Sequence, residues 1–247
     1  MSQENGGPPT GAARGSDRFI MDRSRPAAAQ IYEHLHQRIV ELDLQPGQAL
    51  SRVALCEQYK VSQTPIREAI LKLETLGLVD VFRQSRTIVA VIDIEAAREA
   101  QFLRTALELE VCREIALRRD PSLLADARDL LARQAHALRA RDLLSFHRLD
   151  RAFHEALHQV TGRHGLWQLI NERSGHVDRL RKLYLPSAGK AATILADHEA
   201  MVAAIETGEP DIVQAAVRSH LGGTLRALPQ IIAQYPAYFD GEAATRV

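Results

Sequence analysis

The chain has 247 residues, of which 46% are hydrophobic and 25% are charged. This is the composition of a globular protein, and it excludes a disordered, collagen-like or disulfide-dense chain. Lys and Arg total 31 and Asp and Glu total 31, so the formal net charge is zero. Overall charge therefore favours neither nucleic acid nor membrane as a partner. At roughly 100 to 200 residues per domain, the length predicts two domains.

The N-terminal 24 residues contain Gly, Pro, Ser and Arg with few apolar residues, a composition that predicts a disordered tail over 1–24. This segment lacks the apolar stretch of a secretory signal. No apolar run approaches the roughly 18 residues of a membrane helix. Cys56 and Cys112 both lie in helix-like patterns, where lone thiols are typical of a reducing compartment. We therefore expect a cytoplasmic protein that has no membrane partner.

Three short helices and a hairpin are predicted over residues 25–93. Ile31, Leu35 and Ile39 recur at helical spacing before a break at Pro46-Gly47. A second helix runs from about Arg52 to Tyr59, and a third occupies VSQTPIREAILKLETLGLV, with Ser62 or Thr64 as its cap and Gly77 at its end. Two β-branched runs, 78–82 and 87–92, flank the polar segment RQSR, a pattern that predicts a β-hairpin.

Residues 94–240 show no strand signal. Long amphipathic stretches are interrupted at 120–121, 161–162, 186–189 and 208–210. These breaks predict an all-α bundle of six or seven helices, with Phe102 and Trp167 in its core. The predicted fold class is therefore mainly α, with a winged helix-turn-helix domain followed by a helical bundle.

The tight Lys60-Val61 turn joins two helices as in a helix-turn-helix, whose second helix can enter a major groove. A helical corner formed only for packing is an equally acceptable interpretation of this spacing. Arg83 and Arg86 at the hairpin tip favour DNA binding, because they form a basic wing.

The segment PGQALSRVALCEQYKVSQTPIREAILKLETLGLVDV resembles the winged helix-turn-helix of GntR-family bacterial transcription regulators, with a match over residues 27–92. The resemblance implies that Ser62, Thr64 and Arg67 contact phosphates and base edges. Gln63 departs from the family's commoner arginine, and glutamine matches adenine where arginine matches guanine. Arg86 stands where many members have glycine. The predicted DNA-contacting residues are Arg52, Ser62, Gln63, Thr64, Arg67, Arg83 and Arg86.

The helical half contains four polar residues at positions that face inward. Asp150 and His154 lie one turn apart in LLSFHRLDRAFHEALHQV, and this spacing can chelate a divalent metal. His198 and His220 each replace an apolar residue in a buried stripe. Any one buried imidazole can instead be satisfied by a carbonyl or a carboxylate. Four such groups on three helices favour a common site.

Residues 95 to about 235 resemble the FCD effector domain of the FadR subfamily within the GntR family. The segments FLRTALELE, LDRAFHEAL, DHEAMVAAI and AVRSHL carry the resemblance. It implies that Asp150, His154, His198 and His220 hold a metal ion. It also implies that Arg104 meets an anionic effector.

An Asp and three His ligands suit zinc first, with nickel or manganese as alternatives, and leave coordination positions open. A small organic acid is therefore the expected effector, with the guanidinium of Arg104 forked onto its carboxylate. Asn171, His176 and Arg179 in NERSGHVDRLRKL are further effector-binding candidates. A solvated charged helix face is the alternative interpretation of that segment.

These features predict a ligand-responsive repressor, not an enzyme, that binds a palindromic DNA operator as a homodimer. The alternative is a metal-dependent hydrolase with an appended winged domain. It needs a general base, and Glu155 and Glu199, the candidates nearest the ligands in sequence, point elsewhere on their helices. A third interpretation keeps DNA binding but treats the histidines as structural residues around a metal-free pocket.

Overall fold

The computed structural model describes residues 19–82 and 86–240. Its internal contacts divide the chain after Ala90 into two compact units. Within these described residues, no helix combines the length and the apolar run that spanning a bilayer requires.

The first unit contains three helices: α1 (Ala27–Val40), α2 (Arg52–Tyr59) and α3 (Gln63–Thr75). Ser51 caps α2 by accepting a hydrogen bond from the Ala54 N–H, and Lys60 ends it in the left-handed conformation. The predicted helical periodicity is confirmed, because its apolar positions form one core. This core includes Ile31, Leu35, Ile39, Leu55, Ile66, Ile70 and Leu73.

A three-stranded antiparallel sheet completes the first unit. It consists of β1 (Ala49–Leu50), β2 (Val79–Phe82) and β3 (Arg86–Val89), in the order β1-β3-β2. Ile88 pairs with Asp80 on one side and with Ala49 on the other. The predicted hairpin is confirmed, and β1 extends it. The sequence pattern missed β1 because two residues are too few to show alternation.

The part of the predicted tail that the structure describes lies against the first unit. Phe19 stacks on His34 with ring centroids 4.6 Å apart. The buried Gln30 side chain accepts from the Asp22 N–H and donates to the Asp22 and Arg25 carbonyls. Composition did not reveal this contact, because a single buried glutamine provides most of its hydrogen bonds. The rest of the predicted tail, residues 1–18, lies outside the described residues.

The second unit is helical. Its helices are α4 (Ile94–Arg118), α5 (Ala125–Arg139), α6 (Leu143–Val160), α7 (His164–Arg173), α8 (Gly175–Tyr184), α9 (Lys190–Thr207), α10 (Pro210–Leu221), α11 (Gly223–Arg226) and α12 (Leu228–Gln234). A short 3-10 helix (Pro121–Leu124) precedes α5, and a second one (Pro236–Tyr238) follows α12. The described residues thus form nine α-helices here instead of six or seven. The difference arises at Ser174, which separates α7 from α8, and in the short α11 and α12.

Helix α4 lies at the centre of the second unit and packs against α6, α8, α9 and α10. Their shared core includes Val111, Ile115, Phe153, Leu157, Met201 and Val217. Trp167 is buried as predicted, whereas Phe102 is 77% exposed. The prediction for Phe102 is wrong because the inward face of α4 carries Gln101, Arg104 and Glu108. The site side chains therefore project from the centre of the bundle.

Candidate functional site

The N-terminal end of α3 presents four exposed polar residues. Ser62 occupies the N-cap position without a side-chain capping hydrogen bond, and Gln63, Thr64 and Arg67 follow on the exposed face. Arg67 forms no ion pair with any residue in the part of the chain that the structure describes. An ion pair with a glutamate, which is the purely structural role that an exposed helix arginine can have, is therefore absent there. The first turns of α3 leave these donors and acceptors available to a nucleic acid.

The other three predicted DNA contacts belong to α2 and the hairpin. Exposed Arg52 donates a 3.3 Å hydrogen bond to Thr87 Oγ1 on β3. Exposed Arg86 lies over the Phe82 ring, 5.0 Å from its centroid. Arg83 lies outside the described residues. Both described arginines are thus anchored at the sheet.

Four predicted metal ligands meet at one point of the second unit. Asp150 and His154 lie on α6, His198 on α9 and His220 on α10. One ligand atom from each residue lies within 4.8 Å of the other three. The Nε2 atom of His220 is 3.2 Å from the Nε2 atoms of both His154 and His198. The Asp150 carboxylate is 3.4 Å from His198 Nε2.

Two outer side chains fix the orientation of the rings. His154 Nδ1 is 2.6 Å from a Glu108 carboxylate oxygen, and His198 Nδ1 is 2.9 Å from Gln134 Oε1. Both partner atoms are hydrogen-bond acceptors, so the Nδ1 atoms of His154 and His198 carry the ring protons. The Nε2 atom of each ring therefore presents a lone pair to the centre of the four-residue cluster. One N–H on His220 can satisfy only one of these two lone pairs. A divalent cation can accept all of them, so the donor set fits a metal ion.

The electrostatics also suit metal binding. Burial lowers the pKa of His154 to about 4, although the Glu108 carboxylate opposes this shift. Burial and the neighbouring His220 likewise hold the pKa of His198 well below its ordinary value. Burial disfavours ionisation of Asp150, but the adjacent imidazoles and Arg104 outweigh it, and its pKa is lowered. His154 and His198 are therefore neutral and Asp150 ionised at neutral pH, as metal binding requires.

A cavity adjoins this cluster. Asp150 and His220 form part of its wall, and the cations Arg104, Arg181 and Lys190 form another part. Its remaining lining residues include Phe146, His147, Tyr184, Leu185, Ile194 and Thr224. Arg104, the predicted effector contact, is buried and forms an ion pair with Glu108. The cavity thus combines a wall that carries two of the predicted metal ligands with three cationic side chains.

The remaining effector-binding candidates do not line this cavity. Asn171 Oδ1 accepts a 3.0 Å hydrogen bond from Arg151. His176 Nδ1 accepts from the Asp93 N–H at 2.9 Å and lies 2.8 Å from Arg179 Nη2. Arg179 is buried, with its guanidinium 3.4 Å from the Val91 carbonyl. His176 and Arg179 therefore contact the residues that follow the division between the two units.

We expect the His176→Ala substitution to speed amide exchange in the segment preceding α4. The Asp93 N–H loses its acceptor, and a hydrogen bond is worth about 0.5 to 1.5 kcal/mol, which corresponds to exchange roughly 2- to 10-fold faster. Hydrogen exchange followed by mass spectrometry measures this change. The His164→Ala variant alters an exposed histidine and serves as the control. Unchanged exchange at Asp93 in His176→Ala would contradict the assignment.

Sequence reasoning missed four residues that shape the site. Glu108 and Gln134 orient the histidines, and Arg181 and Lys190 line the cavity. The spacing of Arg104 and Glu108, four apart on one helix, was a usable signal for an ion pair. Gln134 interrupts an apolar stripe on α5, as the histidines do on α9 and α10. Arg181 and Lys190 gave no signal, because charged residues at helix ends are ordinarily solvated.

Comparison with known proteins agrees with this architecture. A family model described as "Bacterial regulatory proteins, gntR family" matches residues 27–89, and one described as "FCD domain" matches 99–223. An HTH-type transcriptional regulator in an unstable DNA locus of Streptomyces ambofaciens is 35% identical, covering 87% of this chain and 90% of its own. The Escherichia coli K12 transcriptional repressor RspR is 28% identical, covering 90% and 97% of the two chains.

Solved structures show the same fold. E. coli McbR/YncC superposes with a TM-score of 0.67 at 20% identity, covering 85% of this chain and 99% of its own. A GntR regulator structure from Rhodococcus sp. RHA1 gives a TM-score of 0.66 at 19% identity, covering 83% and 97%. The chain therefore belongs to the GntR family of bacterial transcription regulators and carries an FCD effector-binding domain.

Proposed function

We propose that this regulator is a repressor that binds a palindromic operator as a homodimer in the cytoplasm and responds to a small organic acid held beside a divalent metal. One observation carries the proposal: three imidazole Nε2 atoms and the Asp150 carboxylate converge at the wall of a cavity that also presents three cations. The repressor relative RspR supports the direction of control. Zinc suits the donor set best, with nickel or manganese as alternatives.

Different residues at the site would hold the metal ion and attract the acid. Asp150, His154, His198 and His220 would hold the ion, which when bound supplies positive charge and open coordination positions for a carboxylate. Lys190 lines the cavity and would attract an anion, together with Arg104 and Arg181, whose charges are partly met by Glu108 and Asp178. Phe146, Leu185 and Ile194 add apolar surface to the same space. These features favour a small acid over a neutral ligand.

Helix α8 connects the cavity to the residues that precede α4. Arg181 lines the cavity, and its Nη1 donates a 3.1 Å hydrogen bond to Asp178 on the same helix. Its Nη2 lies 3.4 Å from the side-chain oxygen of Gln101 on α4. Five residues earlier on α8, His176 accepts a hydrogen bond from the Asp93 backbone. A ligand that displaces Arg181 would shift α8 and thereby the segment joining the two units. This coupling would alter the affinity for DNA.

The exposed end of α3 would read the operator. Ser62 and Thr64 would contact phosphates, Arg67 base edges, and Gln63 an adenine. Arg52, Arg83 and Arg86 would add phosphate or minor-groove contacts from α2 and the wing. Two such domains in a homodimer would read half-sites about one helical turn apart.

The two general-base candidates of the hydrolase alternative lie away from the cavity. Glu155 lies 3.7 Å from the exposed His164, and Glu199 is exposed. Neither is among the residues that line the cavity. Membership of a regulator family also favours control of transcription over catalysis.

The decisive experiment measures operator binding with and without metal and acids. An operator selected from random DNA is titrated by fluorescence anisotropy with zinc-loaded protein, in the presence of a panel of mono-, di- and tricarboxylates. We expect at least one acid to change the dissociation constant by about 5- to 150-fold, the usual range of allosteric coupling. An affinity that stays constant across the panel would contradict acid control.

The Arg67→Ala variant tests the DNA-reading half in the same assay. We expect its affinity for the operator to fall by about 1 to 3 kcal/mol, because a bidentate base contact is lost. Lys72→Ala, on the same helix, is the matched control, since the Lys72 ammonium lies over the Tyr32 ring. Equal losses in the two variants would show that Arg67 acts only through its charge.

A further inference from the structure

Glu108 occupies a position between the two halves of the ligand site. It is 1% exposed and lies on α4, the central helix of the second unit. One carboxylate oxygen accepts from the Arg104 guanidinium, and the other lies 2.6 Å from His154 Nδ1. A single carboxylate thus contacts both a metal-ligand candidate and the arginine at the cavity wall.

We propose that Glu108 is a positioning residue that holds His154 in the tautomer presenting Nε2 to the metal and, with its other oxygen, holds Arg104 at the cavity wall. The inference rests on the proposed metal site and adds a residue that the four ligands do not include. It assigns Arg104 a second role, because the guanidinium neutralises the carboxylate on which His154 depends.

The chemistry of the carboxylate explains why this position requires a glutamate. An ionised carboxylate accepts at both oxygens, so it can serve the Arg104 N–H and the His154 N–H together. A glutamine amide accepts at only one end and donates at the other. Arg104 can only donate, so it would take the amide oxygen. The amide NH₂ would then face His154 and force the ring proton onto Nε2, which removes the lone pair from the centre.

The test compares zinc affinity in the full-length parent, Glu108→Gln and the control Glu110→Gln. Competition with a chromophoric chelator gives the dissociation constant of Zn²⁺ alone. Loss of an outer-shell partner weakens metal binding by about 10- to 100-fold, and this is the change expected in Glu108→Gln. Glu110 is two residues along α4, is exposed and pairs with Arg113, so its variant should bind zinc as the parent does. Equal affinity in all three proteins would overturn the proposal.

A double variant separates positioning from simple support of the fold. The double variant Arg104→Met, Glu108→Leu leaves neither member of the buried ion pair alone, so we expect it to fold even if Glu108→Gln does not. Its leucine offers no acceptor to His154 Nδ1, and we expect the same 10- to 100-fold loss of zinc affinity. Recovery of the parent affinity in the double variant would mean that Glu108 only compensates Arg104, which would overturn the proposal.

A readout without metal keeps this inference distinct from the proposed function. Nitrogen chemical shifts of ¹⁵N-labelled histidine report the ring tautomer, and His154→Gln identifies the His154 signal. We expect an Nδ1-protonated ring in the metal-free parent and an Nε2-protonated ring in Glu108→Gln. If the parent binds no zinc but the tautomer changes, the metal function fails and the positioning role of Glu108 stands. If the tautomer is the same in both proteins, the positioning role fails.

Discussion

The His198→Ala, His220→Ala double variant is expected to purify without bound divalent metal, whereas the parent holds about one equivalent per chain. The two substitutions remove the donors on α9 and α10 and leave Asp150 and His154, which lie one turn apart on a single helix. Two donors on one helix cannot surround an ion. Elemental analysis of protein purified without a histidine tag measures the difference.

A matched control variant loses the same number of histidines as the site variant. His136 and His164 are exposed, so the His136→Ala, His164→Ala double variant should retain the metal of the parent. Zinc at 100 times its dissociation constant should also stabilise the parent and this control by about 2.7 kcal/mol, and the site variant not at all. A parent that contains no metal and takes up none on addition would leave the four residues as a structural cluster. The effector search would then turn to a cavity organised by its three cations, Arg104, Arg181 and Lys190.

The sequence supported the four ligands because each lies in or beside an apolar stripe on its own helix. Asp150 and His154 follow the edge of a stripe, and His198 and His220 interrupt stripes that are otherwise apolar. Helical periodicity therefore identifies inward-facing residues, and the resemblance to FCD domains joined them into one site. The helices of the first unit were predictable for the same reason, since Ile31, Leu35 and Ile39 mark a single buried face.

Other features depend on contacts between distant segments, which periodicity does not encode. His176 was a candidate effector contact, but its ring accepts a hydrogen bond from Asp93, 83 residues earlier. Gln134 reaches His198 across 64 residues. Arg181 lines the cavity because α8 packs against α4. In each case the partner is set by how two helices dock, so one helix alone gives no indication of it.

The Arg104→Met substitution is expected to destabilise the protein by about 3 to 5 kcal/mol, the cost of leaving one member of a buried ion pair alone. Both side chains are almost fully buried, with exposed fractions of 4% for Arg104 and 2% for Glu108. If Arg104 were only a ligand-binding arginine, its removal in the absence of ligand would change the free energy of unfolding little. Urea unfolding of metal-free protein measures this free energy.

Two further variants identify why the Arg104→Met substitution lowers the free energy of unfolding. Arg113→Met removes an arginine from an exposed pair with Glu110 on the same helix, and exposed pairs contribute at most about 1 kcal/mol. Arg104→Met, Glu108→Gln removes both buried charges and should recover most of the stability that Arg104→Met loses, because no unpaired charge remains. A loss below about 1 kcal/mol in Arg104→Met would contradict the structural role of the pair. A loss that persists in the double variant would show that Arg104 stabilises the bundle through its packing and not through Glu108.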